Sequence, residues 1–78
     1  MAMTEIKWID IFGDNLLELM KETNMTQREL AKEARLSEST ISRFISKQQM
    51  PSVRAIVNIA YALNCSVFDL VDFGDDID

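Results

Sequence analysis

The sequence predicts an all-α domain, five short helices packed around one core. Three observations carry this. Apolar residues recur at three- and four-residue steps in successive segments. Helix-capping residues stand between those segments, at Thr26, Ser37, Ser52 and Ser66. The chain holds only 2 Gly and 1 Pro, too few for the tight turns of a sheet protein. With 78 residues it is one domain, residues 1–78, whose core is expected over about residues 8–73. The ends, 1–7 and 74–78, are expected to be flexible. Apolar residues make up 47% of the chain, enough to fill a core and to argue against disorder.

In the first helix, from Trp8, the inward face is Ile9, Phe12, Leu16, Leu19 and Met20, with Trp8 as a lid on the core. Asn24 suits a left-handed residue that ends it. Thr26-Gln27-Arg28-Glu29 reads as a capping box opening a second helix of about two turns, with Leu30, Ala31 and Ala34 inward. Ser37 caps a third helix, with Ile41, Phe44 and Ile45 inward and Glu38, Ser39, Ser42, Arg43 and Ser46 outward. That outer face is rich in Ser, a mediocre helix former, so propensity alone does not explain it. Pro51 keeps the preceding loop out of helix. Ser52 opens a fourth helix, read with Val53, Ile56, Val57, Ile59, Ala60 and Leu63 inward and Asn64 at its end. Ser66 and Asp69 open a short fifth helix through Val67, Phe68, Leu70 and Val71, stopped by Gly74.

Composition excludes several classes of function. The chain has no His and a single cysteine, Cys65, so a structural zinc site, a disulfide and His-assisted nucleophilic catalysis all lack their residues. Cys65 reads as a small buried residue. No cofactor and no enzymatic activity are expected. One free cysteine suits a reducing cytoplasm. No stretch approaches the roughly 20 apolar residues of a membrane span, so no membrane partner is expected.

The formal net charge is −5, which argues against nucleic acid until its distribution is read. Residues 1–25 carry a net −3 and residues 55–78 a net −5. Residues 26–54 hold six cations, Arg28, Lys32, Arg35, Arg43, Lys47 and Arg54, against Glu29, Glu33 and Glu38, a net +3. With a Debye length of about 8 Å at physiological salt, local charge outweighs the distant ends.

The second and third helices, with their short turn, have the dimensions of a helix-turn-helix, whose second helix lies in the DNA major groove. A groove about 12 Å wide admits a helix whose outward side chains are short near the base floor. Ser39 and Ser42 are short, while Glu38 and Arg43 give longer reach.

Several runs together resemble one family. They are F-G-x-x-L at Phe12–Leu16, M-T-Q-R-E-L-A at Met25–Ala31, L-S-E-S-T-I-S-R-F at Leu36–Phe44, P-S at Pro51–Ser52 and I-A-Y-A-L-N at Ile59–Asn64. Over about residues 10–72 the chain resembles the phage Cro/C1 repressor, or Xre-type, helix-turn-helix family. The resemblance implies a five-helix lambda-repressor-like fold and a sequence-specific regulator of transcription, a repressor in the first instance, that binds double-stranded DNA as a homodimer. It also implies roles by position. Gln27, Glu38, Ser39, Ser42 and Arg43 would contact bases, with Arg43 suited to guanine and Glu38 to the cytosine amino group. Thr26, Arg28, Ser37, Thr40, Ser46, Lys47 and Arg54 would contact phosphate. Arg28 has a competing role in pairing with a neighbouring glutamate. Arg35 stands where family members often place Gly in the turn, which implies a left-handed backbone there.

A homodimer is expected on affinity grounds, because one module buries only about 600–1,000 Å² of its surface on DNA. The apolar excess of the fifth helix and its flank, Val67, Phe68, Leu70, Val71 and Phe73, marks the expected dimer surface. The competing reading is a protein-interaction module of the same fold, antitoxin-like or an anti-regulator, motivated by the −5 charge and the single cation in the loop after the third helix.

Overall fold

The computed structural model describes residues 8–71. Within them lie five α-helices and no strand: α1 (Trp8–Thr23), α2 (Gln27–Ala34), α3 (Glu38–Ile45), α4 (Val53–Leu63) and α5 (Val67–Val71). The order of the helices and the bounds of α2, α3 and α4 follow the sequence reading. The expectations for residues 1–7, Phe73 and residues 74–78 lie outside the described residues.

The helix starts are fixed by hydroxyl caps. Thr26 Oγ1 accepts from the Glu29 amide at 3.1 Å, and the Glu29 carboxylate accepts from the Thr26 amide at 2.9 Å, a complete capping box. Those bonds hold the Glu29 carboxyl below its ordinary value, the backbone bond contributing most. Ser37 accepts from the Thr40 amide and Ser52 from the Ala55 amide, each at 3.1 Å. At α5, Ser66 Oγ accepts from the Phe68 amide, and Asp69 accepts from the Ser66 amide.

The helix ends share one device. Asn24, Arg35, Lys47 and Asn64 all have φ between 56 and 65°, the left-handed region. After each, the next amide reaches back to a carbonyl five residues earlier: Met25 to Met20, Leu36 to Ala31, Gln48 to Arg43 and Cys65 to Ala60. This is the Schellman closure, which satisfies carbonyls the helix leaves orphaned. Met25, Leu36 and Cys65 then pack against the core, while Gln48 stays exposed. Burial pushes the Cys65 thiol up and nearby Asp69 adds to it, so the thiol stays protonated and packs as a small apolar group.

The core joins all five helices: Phe12, Leu16 and Met20 of α1, Leu30, Ala31 and Ala34 of α2, Ile41 and Phe44 of α3, Ala55, Ile59, Ala60 and Leu63 of α4, and Leu70 of α5. Phe12 and Phe44 meet edge to face with ring centroids 5.5 Å apart, joining α1 to α3. Two side-chain amides tie helices at their ends. Asn58 donates to the Ala34 carbonyl at 3.2 Å, and Asn15 to the Leu70 carbonyl at 2.8 Å.

Three expectations need correction. Val53 and Val57 are not inward but 77% and 48% exposed, and Ala55 takes the buried position instead. Alanines on both α2 and α4 allow these helices to pack closely, which turns Val53 and Val57 to solvent. Leu70 is fully buried in the single chain, so it cannot also serve a dimer surface. Trp8, expected as a lid, is 40% exposed.

Candidate nucleic-acid interface

The turn at Arg35 sets α2 and α3 so that their N-terminal ends open onto one shallow cleft. Thr26, Gln27 and Arg28 line it from α2, and Glu38, Ser39 and Ser42 from α3. Each helix start carries a partial positive charge and outward amides, so the cleft is suited to anionic oxygens. Gln27, Arg28, Glu38, Ser39, Ser42 and Arg43 are all exposed. Four of the five candidate base-reading residues therefore line a single cleft, with Arg43 one residue beyond it on α3.

The buried face of α3 makes that exposure possible. Ile41 and Phe44 are buried to within 1% of complete, and Ile45 packs beside them. With those positions fixed inward, the 3.6-residue repeat turns Glu38, Ser39, Ser42 and Arg43 outward.

The candidate phosphate neighbours fall into two groups. Thr26, Ser37 and Thr40 sit at helix starts and already engage one another or a backbone amide. Thr40 Oγ1 lies 2.8 Å from Ser37 Oγ, and Ser39 Oγ lies 3.2 Å from it. Arg28 and Arg54 are exposed, and the expected competition of Arg28 with a neighbouring glutamate does not materialise. Among the described residues the one ion pair is elsewhere, between Lys47 Nζ and Asp14 at 2.7 Å.

That pair changes the reading of Lys47. Its ammonium is engaged by an acid from α1, and the hydrogen bond to Asp14 raises its pKa. The loop after α3 therefore presents little net positive charge. Ser46 donates to the Ser42 carbonyl at 2.9 Å, so its hydroxyl hydrogen points inward along the helix.

Sequence reasoning passed over three residues at this end of α3. Gly13 lies against it so closely that a Cβ there would sit 2.7 Å from the Phe44 carbonyl oxygen. Asp14 holds Lys47. Gln49 accepts from Arg43 Nε at 2.8 Å. The signal for Gly13 was available, since a Gly inside a helical pattern marks either weakness or close approach. Nothing local announced Asp14 or Gln49.

Of the expected dimer surface, Phe68 is 78% exposed, Val67 is exposed and Val71 half-buried. No described helix is long and apolar enough to cross a membrane.

Two short capped helices, the second presenting a polar face beside the start of the first, define a helix-turn-helix protein, a DNA-binding regulator of transcription. A helix-turn-helix family model matches residues 16–70, and the chain belongs to this Cro/C1-type family. Solved structures agree in fold. The restriction-modification controller protein C.AhdI from Aeromonas hydrophila is 27% identical, with 80% of this chain and 94% of that one covered at a TM-score of 0.77. The clp gene regulator ClgR from Corynebacterium glutamicum is 24% identical, with 86% of each chain covered at a TM-score of 0.77. The SOS-response transcriptional repressor LexA from Eubacterium rectale is 24% identical, with 97% of this chain and 80% of that one covered at a TM-score of 0.79. No curated protein sequence matches the chain.

Proposed function

We propose that this protein is a sequence-specific repressor that binds double-stranded DNA as a homodimer, with α3 in the major groove. The observation that carries the proposal is the cleft at the joined starts of α2 and α3, which gathers Gln27, Glu38, Ser39 and Ser42 on one exposed surface. Short hydroxyls let α3 approach the base floor, while Glu38 and Arg43 reach further to cytosine and guanine edges. Thr26, Ser37 and Thr40 bring helix-start dipoles to the phosphates, and Arg28 and Arg54 add backbone contacts; Ser46 reaches a phosphate only by giving up its bond to the Ser42 carbonyl. Lys47 joins them only by sharing its ammonium with Asp14. The likeness to the controller protein and to the repressor LexA supports a regulatory role, and binding over a promoter would block polymerase.

The dimer surface we propose is Phe68 with Val67 and Val71. Two half-sites about 34 Å apart would add their contacts, offsetting the modest local charge.

Selection of bound sequences from a random duplex pool tests binding, symmetry and spacing together. A palindromic motif with half-sites one helical turn apart is expected, and placing it over a promoter should lower reporter expression. Failure to enrich any duplex at low salt overturns the proposal. That result would favour the second reading, a protein-interaction module of the same fold, which the neutralised Lys47 and the −5 total charge support. Sedimentation of Phe68→Asp checks the dimer; a weight unchanged from wild type rejects this surface.

A further inference from the structure

Gln49 is the residue at this interface with a defined contact and no role so far. Its Oε1 accepts from Arg43 Nε–H at 2.8 Å. Arginine has no acceptor, so the amide must turn its oxygen toward Arg43 and its NH2 group elsewhere. A guanidinium offers two edges with paired donors, the side edge with Nε and one terminal nitrogen, and the end edge with both terminal nitrogens. Gln49 occupies the side edge. The end edge is left for another partner.

The loop is built to hold this geometry. The Gln48 amide donates to the Arg43 carbonyl at 2.8 Å, so consecutive loop residues grip the backbone and the side chain of one arginine. Lys47 makes the reversal possible with φ 65°, and its ammonium is anchored to Asp14 of α1. Gly13 lets α1 lie directly against the end of α3. Gln49 is half-buried, as is Pro51, while Lys47, Gln48 and Met50 are exposed.

Guanine presents O6 and N7 as two adjacent acceptors in the major groove, matched by two parallel donors. A free, exposed arginine can offer either edge and loses rotamer freedom when it docks. We propose that Gln49 is a positioning residue for specificity: it fixes Arg43 so that the end edge of its guanidinium meets guanine at one position of each half-site. The inference rests on the DNA-reading role proposed above and assigns one base of the recognised sequence to one pair of residues.

The test combines free-protein spectra with sequence selection. In nitrogen–proton correlation spectra, Gln49→Ala should shift the Arg43 Nε–H resonance and speed its exchange with water. In random-duplex selection, Gln49→Ala should lower the preference for guanine at one half-site position by about three- to tenfold, part of what a bidentate contact contributes. Affinity for non-specific duplex should stay within about twofold, because no phosphate contact is lost. Gln49→Glu should keep the guanine preference, since a carboxylate also accepts from Nε, while weakening every duplex through added negative charge. In an Arg43→Ala background, Gln49→Ala should change nothing further.

An unmoved Arg43 resonance overturns the inference, as does equal weakening of all duplexes by Gln49→Ala. So does an effect that persists without Arg43. If wild type enriches a motif that Gln49→Ala leaves intact, the inference fails while the DNA-reading role stands. If wild type enriches nothing, both fail together.

Discussion

The two ends of α3 are built on opposite plans. At its start, Ser37 caps the helix and the longer side chains that share the cleft, Gln27, Arg28 and Glu38, are exposed with no partner among the described residues. At its end, Arg43, Ser46 and Lys47 are each engaged, by Gln49, by the Ser42 carbonyl and by Asp14. The start is held by its own hydroxyl and leaves its neighbours adaptable. The end is held by other parts of the chain, and its polar groups are committed before any ligand arrives. A reading surface can therefore combine adaptable contacts with fixed ones on a helix of eight residues. Preorganisation lowers the ordering cost of binding, and here it is concentrated at one end.

The strongest way to break the contrast is to release the end of α3 from α1. Phe44→Ala removes the edge-to-face partner of Phe12 and leaves a cavity. It should destabilise the fold by about 3–5 kcal/mol in urea unfolding. Gly13→Ala forces a methyl group against the Phe44 carbonyl oxygen at 2.7 Å. That carbonyl is backbone and cannot swing away, so a loss of about 1–3 kcal/mol is expected by the same measurement. Thr26→Ala attacks the other plan, the local cap of α2, and should cost about 1 kcal/mol.

The Thr26 box also carries a pH dependence. Because the Glu29 carboxyl titrates below its ordinary value of 4.5, its ionised form stabilises the fold. That contribution is fully present above 4.5 and is lost as pH falls through the lowered value. Glu29→Gln should therefore lower the urea midpoint at neutral pH and converge with wild type in acid. The smallest stability change is expected from Asp14→Asn, since exposed ion pairs contribute little. Its effect should fall on binding: with Lys47 freed, affinity for every duplex should rise about equally. The salt dependence should steepen by about one counterion per chain. An unchanged salt slope would mean that Lys47 does not face the phosphates.

The same contrast decides what could be read in advance. The start of α3 was legible because its determinants are local: Ser37 and the apolar steps through Ile41 and Phe44 lie within eight residues. So were the capping box at Thr26, the left-handed ends at Asn24 and Arg35, the stop at Asn64, and the register of α2. The end of α3 was not legible. Asp14 and Gly13 come from α1, and no periodicity brings them to Lys47 and Phe44. In α4 the difficulty was different. In VRAIVNIAYAL only Arg54 and Asn58, four residues apart, mark the outer face, and Val53 and Val57 fall at the margin between that face and the buried one. Large Val53 and Val57 seemed the natural core residues, but the close approach of α2 favours small Ala55 beside the expected Ala60. Leu70 was misplaced for a related reason: α5 has one buried position among five residues, and its apolar excess hid which one.

The turns on either side of α3 bear on how such a domain could be made hardier. Arg35 and Lys47 both adopt a left-handed backbone that glycine would occupy without steric cost, at roughly 1 kcal/mol each for a residue with a Cβ. The chain thus carries a cation, at some conformational expense, at each of the two hinges framing its reading helix. Lys47 has a reason to stay, since its side chain ties the loop to α1. Arg35 has no such tie, and Asn58 already secures the neighbouring Ala34 carbonyl from α4. Glycine at position 35 is therefore a simple route to a more heat-resistant regulator, and the affinity lost in making that exchange would measure what the Arg35 charge contributes to holding DNA.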